Sequence, residues 1–536
     1  SETSERALRS CKFPNSSEPM PSIQDELRAF EAELDADLAA LRIHSFNADS
    51  ALALSSEIYE AAAMHPAAAD RFNRGMTILA AALVSGKSGD DSIIEALVKD
   101  LDFASHYYTV REYLYYSYNV PGSMNWNITA DRVDVRFSDP TIPRQFFTVF
   151  NDRILGSRDT FAEFADTRKE IRRLLKGESE GVQTPRVETA WALITQEVEI
   201  KLHAYFSILP ESAPIELGGY TYAEFLAIYR ALLSKALYNR YMAQENDVVG
   251  AIFIHPSELI GAVTQELGIS AKKSELILSD IVFDQGTVRD RLDASYFSLF
   301  REAGLRGRII MRPHHFATAE GLVNLLRVVA QRRPQKFLEQ VSNELGRAFV
   351  QRLKASWDAQ GFYCRTELSL RSYDPTLPDI DLLVISEEPT LGYVIFVCEV
   401  KSPLPPRWAK DQLKVLNRDS VSKAFHQASA VRDFLGTEAG IDFLEGILPQ
   451  GSHQHFRGFI VTVQSLIITS DNGGMFFGNE DTPIISFRTL ERLLRRSDGD
   501  VAYIQMVLRT YAEEVDAHLK TANMEFQVGD RTVSYE

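Results

Sequence analysis

Cysteine is scarce in this chain: Cys11, Cys364 and Cys398 are the only three in 536 residues, widely spaced and odd in number. That excludes a disulfide framework and a zinc cluster built on closely spaced cysteines. Cys364 and Cys398 fall in apolar runs, where a thiol serves as a small core filler. No apolar run approaches the roughly 18 residues that span a bilayer, and no basic-then-apolar leader opens the sequence. A cytoplasmic protein without a membrane partner is expected. Nucleotide-driven chemistry also lacks its signature. Ser85-Gly86-Lys87-Ser88 has the end of a phosphate loop, but Ala81 stands where the first glycine belongs and no strand precedes it. No helicase, ATPase or methyltransferase motif appears. Net positive charge is missing as well. At −17 the chain is no indiscriminate polyanion binder. Screening over about 8 Å nevertheless lets local charge decide a contact.

What is present is a globular composition, 45% hydrophobic and 24% charged, long enough for two to four domains. Residues 1–22, rich in Ser, Pro and charge, are expected to form a flexible leader. Residues 23–245 carry apolar residues at helical spacing and form a mainly helical domain, with a small β insertion at 127–137. Helices are predicted at 24–43, 51–64, 67–85, 92–118, 143–155, 160–175, 187–207 and 221–245. The tyrosines at 107, 108, 113, 115, 116 and 118 suit helix contacts, with base stacking as the alternative. Residues 246–330 read as a small helical or winged-helix-like module. Helical patterns at 257–267 and 272–283 flank Gly268-Ile269-Ser270, the spacing of a helix-turn-helix or of an ordinary helical hairpin. Lys272 and Lys273 open the second helix, and residues 300–312 supply a β element. His314-His315 has no carboxylate or cysteine at ligand spacing, which makes it structural or polar surface. Arginines and lysines gather from 301 to 354. Arg306, Arg308, Arg312 and Arg347 among them are candidates for phosphate contact, against the alternative of solvated helix faces.

The chemistry concentrates between Leu377 and Pro403. Two apolar runs, 379–386 and 393–401, read as strands joined by a turn. Side chains two apart share a strand face, so Asp379 goes with Asp381 and Glu399 with Lys401. Carboxylates about 4 Å apart repel by roughly 4 kcal/mol at an effective dielectric of 20. A hard divalent cation, Mg2+ or Mn2+, relieves that conflict through oxygen ligands and open water positions. Such an ion activates water and stabilises a transferring phosphoryl group, with Lys401 neutralising developing charge.

Pro378-Asp379-Ile380-Asp381 followed by Glu399-Val400-Lys401 resembles the PD-(D/E)XK motif of the restriction-endonuclease-like nuclease superfamily. The context carries the resemblance over residues 334–500. A helix at 334–360 closed by Gly361, strands at 362–370, 379–386 and 393–401, a helix at 420–435 closed by Gly436, and a strand at 459–463 follow the family order. The resemblance implies a C-terminal α/β domain with a mixed central sheet over 331–536, with closing helices at 486–497 and 501–520. It makes Asp381 and Glu399 metal ligands and Lys401 the catalytic lysine. Asp379 is the second choice for the first acid. Gln427, with Lys423 one turn before it, matches a supporting glutamine on the helix after the lysine strand. The glutamate that members carry on the first helix falls at Val350, with Glu344 and Glu339 further back. His453 and His455 lie in a loop and are read as solvated.

The whole is then a multidomain α and α/β protein whose expected activity is magnesium-dependent endonucleolytic hydrolysis of DNA, for example in defence against foreign DNA. Two other classes stay open: an RNA-cleaving or repair nuclease, and a non-catalytic nucleic-acid-binding or assembly subunit that keeps the fold. A homodimer fits double-strand cleavage, and the helical region is suited to a regulatory partner.

Overall fold

The computed structural model describes residues 23–138 and 164–535, apart from 64, 180, 207–208, 247–249, 319–320, 389–391, 403, 405–407, 409–410, 412–420, 450–460, 471–480 and 519–523. The expected leader, the helix at 143–155, and His453 and His455 lie outside the described residues.

The chain is a multidomain assembly of helices and mixed sheets. Among the described residues no helix is long and apolar enough to cross a membrane. The C-terminal half is built on a five-stranded sheet of β7 (Tyr363–Leu368), β8 (Ile380–Glu388), β9 (Gly392–Lys401), β10 (Val461–Thr469) and β11 (Ile484–Ser486). The spatial order is β11-β10-β9-β8-β7. β7, β8 and β9 run antiparallel, whereas β9, β10 and β11 run parallel. The helix α10 (Asn343–Asp358) precedes β7, and α11 (Val421–Leu435) makes the crossover that parallel β9 and β10 require. The expected helix at 334–360 is interrupted by a π-helical turn, Phe337–Ser342. Gly361, at φ 85°, takes the left-handed conformation after the helix end.

Burial explains the apolar runs. Leu382, Val384, Val394, Phe396, Cys398 and Leu466 face Phe349, Leu353 and Trp357 of α10 on one side of the sheet. Leu383, Ile385, Ile395 and Val397 face Val431, Phe434 and Leu435 of α11 on the other. Strands covered on both faces need no polar alternation, so they read as continuous hydrophobic stretches.

The N-terminal part is mainly helical: α1 (Ile23–Ala39), α2 (Ala48–Ala62), α3 (Pro66–Leu83), α4 (Ile94–Asn119), α5 (Ala165–Leu175), α6 (Pro185–Phe206) and α7 (Tyr222–Asn246). Tyr107, Tyr113 and Tyr116 of α4 are buried in it, packed rather than presented. The β insertion is a hairpin, β1 (Met124–Ile128) and β2 (Arg132–Phe137).

Two domain boundaries differ from expectation. The stretch 331–536 does not belong wholly to the C-terminal sheet. Its last strands, β12 (Met524–Val528) and β13 (Arg531–Tyr535), join the N-terminal hairpin in the order β1-β2-β13-β12, with β13 parallel to β2. Val528, Val533 and Tyr535 enter one core with Leu27, Phe30 and Val110. Nor does 246–330 have a core of its own. The expected helices are there as α8 (Pro256–Leu267) and α9 (Ala271–Ile281). Gly268 is left-handed at φ 67°, and the Ser270 hydroxyl caps α9 by accepting from the Lys273 amide. Beside them lies a small sheet of β3 (Ile252–Ile254), β6 (Ile309–Met311), β5 (Leu299–Arg301) and β4 (Val282–Phe283). Leu299, Ile309 and Met311 pack toward α6 and α7, whereas Phe300 and Ile310 pack toward α2 to α4. Period-two alternation thus feeds two helical layers from one sheet.

Buried charges lock this sandwich. Asp280, 2% exposed, accepts from Arg332 Nη1 at 2.9 Å, from Arg333, and from the Tyr220 hydroxyl at 2.7 Å. Removing an acid that satisfies two cations strands them in a low-dielectric interior. Asp280→Ala is therefore expected to destabilise the protein by about 3–5 kcal/mol, read by urea unfolding. Val533→Ala, at the β13–β2 junction, is expected to cost about 2 kcal/mol in the same experiment. A neutral Val533→Ala would show that the returning strand is not part of the cooperative unit.

Candidate functional site

The site lies where β8 begins and β9 ends. Leu382 pairs with Cys398 across the antiparallel ladder. Asp381, one residue before, and Glu399, one residue after, flank that pair on neighbouring strands. Leu383 and Val397 face α11, so alternation turns Asp381, Glu399 and Lys401 to the same side.

Each side chain is held. Asp381 Oδ2 accepts from the Val400 amide at 2.7 Å. Lys401 Nζ donates to Glu399 Oε1 at 2.5 Å and to Gln427 Oε1 at 3.3 Å. Gln427 reaches the strand because α11 presents small residues to the sheet: Ala424 and Ala428 are buried, and Ser465 of β10 donates to the Ala428 carbonyl at 3.4 Å. Strand alternation and helix packing thus bring Asp381, Glu399, Lys401 and Gln427 to one edge of the sheet.

Burial sets the electrostatics of the cluster. Glu399 is 4% exposed. Burial, then the Asp381 charge, push its carboxyl up to about 7, against the pull of Lys401 and Lys423. Asp381 is also raised, chiefly by burial, although the Val400 amide and Lys401 oppose the shift. A buried and a half-buried carboxylate stand side by side here, hard-oxygen donors of the kind that suit a magnesium-like ion keeping several waters. Among the described residues no group of three or more His, Cys, Asp or Glu is placed to hold a metal. The oxygen groups at this edge that could hold an ion are the two carboxylates, Asp381 and Glu399.

The supporting residues divide. Lys423 is exposed on α11 and acts on Glu399 through its charge. Asp379 is engaged by its own partners, accepting from Ser369 Oγ at 2.8 Å and pairing with Arg371 at 3.4 Å, and its charge helps raise the Asp381 carboxyl. Glu344 is engaged by Arg347 at 2.7 Å on its own helix. Glu367 joins the site without having been expected there. It lies between the Thr366–Leu382 and Leu368–Ile380 pairs, opposite Asp381. Its charge raises the Asp381 carboxyl, and its φ of 53° is a left-handed conformation rare for a non-glycine residue. No local sequence signal marks it, because its place depends on register.

The basic candidates need correction. Arg312 is 2% exposed, with its guanidinium 4.8 Å from the Tyr59 ring and 3.1 Å from Asn73 Oδ1, and it cannot reach a phosphate. Arg308 folds back onto Glu302 at 2.6 Å and over the Phe253 ring. Lys273 pairs with Glu224 at 2.6 Å. Arg312 is a core residue, whereas Arg308 and Lys273 stay partly exposed with an acidic partner each. Lys272, Arg306 and Arg347 are exposed, the last with Glu344 as partner. His314 is half-buried: its amide donates to Glu60, and burial, then Arg240 and Lys201, hold its imidazole down at about 4.

Comparison with protein families, curated proteins and solved structures finds no match for this chain.

A raised carboxyl binds its proton more tightly in the folded state than in the unfolded one. Metal-free stability is thus expected to fall as pH rises from about 4.5 to about 7 through Glu399. Glu399→Gln should remove this component. Thermal melts in a chelator at pH 5 and pH 8 check it: the variant should gain on the parent at pH 8, and an unchanged difference would contradict the assignment.

Proposed function

We propose that the chain is a metal-dependent nuclease that hydrolyses phosphodiester bonds in DNA. The observation that carries this reading is the convergence of Asp381, Glu399 and Lys401 at the end of β9. They sit in a succession of helix, three antiparallel strands, helix and parallel strand. Both the triad and the order of elements are in keeping with the resemblance to the PD-(D/E)XK superfamily.

Asp381 and Glu399 would hold the magnesium or manganese ion. When bound, such an ion supplies Lewis-acid stabilisation of phosphoryl charge and lowers the pKa of a coordinated water. The chain's own groups do the rest. Ionised Glu399 and Asp381 give the site its affinity for a cation, and Glu399 loses its proton only as pH approaches 7. Lys401, held by Glu399 and Gln427, keeps its ammonium where an incoming phosphate oxygen gains charge. The Val400 amide fixes Asp381, which limits the reorganisation needed when substrate arrives. The register that sets Asp381 opposite Glu399, next to the Leu382–Cys398 pair, supports a catalytic role over a non-catalytic one.

Plasmid cleavage in magnesium or manganese tests the proposal. The parent is expected to cleave, and Lys401→Ala to lose about 10²–10³-fold in rate, the usual cost of one electrostatic contact to the transition state. Equal cleavage by parent, Lys401→Ala and Glu399→Ala would place the activity elsewhere. An RNA of the same sequence, supplied in competition, separates the two substrates.

A further inference from the structure

We infer that the helix α12 (Phe487–Ser497) carries the face on which the phosphate backbone of duplex DNA lies as it enters the site, an inference that rests on the nuclease reading.

Position supports it. Lys401 pairs with Thr469 of β10, and Thr469 pairs with Ser486 of β11. These three residues form one row across the sheet. At about 4.8 Å per strand, Ser486 is roughly 10 Å from Lys401. Ser486 caps α12, its hydroxyl accepting from the Thr489 amide. The helix thus starts at the sheet edge that carries Lys401 and runs back from it on the α10 side of the sheet, across that edge from Lys401.

Charge supports it independently. Arg488, Arg492 and Arg496 recur every four residues on one face, the first two half-buried and Arg492 Nη2 donating to Thr489 Oγ1 at 3.4 Å, with the exposed Arg495 beside them. Phe487, Leu490, Leu493 and Leu494 bury the opposite side. The single acid of the helix, Glu491, points to α10 and accepts from Arg352 and Ser356. Arg495 and Arg496 are exposed, and Arg495 Nε is bonded to a main-chain carbonyl, that of Glu491, which leaves its charge uncancelled there. In a chain of net charge −17 this basic stripe is a local exception.

A polyanion of regular spacing is the occupant that complements such a stripe. Guanidinium groups bind phosphate in bidentate fashion and carry no base information. The face should therefore position the duplex without selecting its sequence.

The test is binding of a 20-base-pair duplex DNA by the full chain in a chelator, with anisotropy read across a salt series. Arg492→Ala/Arg495→Ala/Arg496→Ala is expected to weaken binding at least tenfold. It should also reduce the slope of log affinity against log salt by about 2–3, near 0.9 for each phosphate that the three arginines neutralise. Lysine at the same three positions should restore most of the slope, and the melting temperature should not change. Unchanged affinity and slope, no binding by the parent, or binding by the parent to duplex RNA but not to DNA would overturn the assignment. The two readings separate cleanly. Arginine-dependent binding without Lys401-dependent cleavage keeps the face and removes the hydrolysis. Lys401-dependent cleavage with a KM unaffected by the triple variant keeps the hydrolysis and removes the face.

Discussion

The burial of β9 on both faces is the constraint on which the C-terminal half depends. Tyr393 to Cys398 are all buried, between α10 on one side and α11 on the other. A strand so placed gains hydrophobic stabilisation along its length, and it carries its last residues into the same low-dielectric layer. Glu399 is drawn in with them and cannot be fully solvated. Its raised carboxyl is thus a consequence of the packing that holds the sheet together. Lys401 and Lys423 pull against that shift without cancelling it.

The N-terminal part uses charge in the opposite way. There the ionic groups are matched internally: Asp280 with Arg332 and Arg333, Glu302 with Arg308, Glu197 with Arg168. Arg312 rests on aromatic rings and an asparagine. These contacts specify how helices seat on the small sheet. They also draw inward several of the basic residues that composition gathers between 301 and 354. On α12 the apolar side packs against the large sheet, and Arg495 and Arg496 are exposed on the other side.

The two halves are joined through backbone as well as side chains. The β13 strand lies parallel to β2, and Trp408, shortly after Lys401 in sequence, packs on Tyr108 of α4 at 4.5 Å between ring centroids. The helical region is therefore mechanically connected to the segment that follows the strand carrying Lys401.

Sequence by itself determined the features that depend on neighbours along the chain. The apolar runs at 382–385 and 393–398, the Gly268 and Ser270 helix ends, and the Glu399–Lys401 pair on one strand face all follow from local periodicity and backbone preference. The closeness of Asp381 to Glu399 is suggested by motif and needs the ladder to realise it. Tertiary structure alone decided the rest. Whether Arg312 is a surface cation or a core residue turns on Tyr59 and Phe300, which no spacing reveals. The return of β13 to β2, and the place of Glu367 opposite Asp381, are matters of register between distant strands. Register is selected by the burial of whole faces at once, a collective energy that no short stretch of sequence contains.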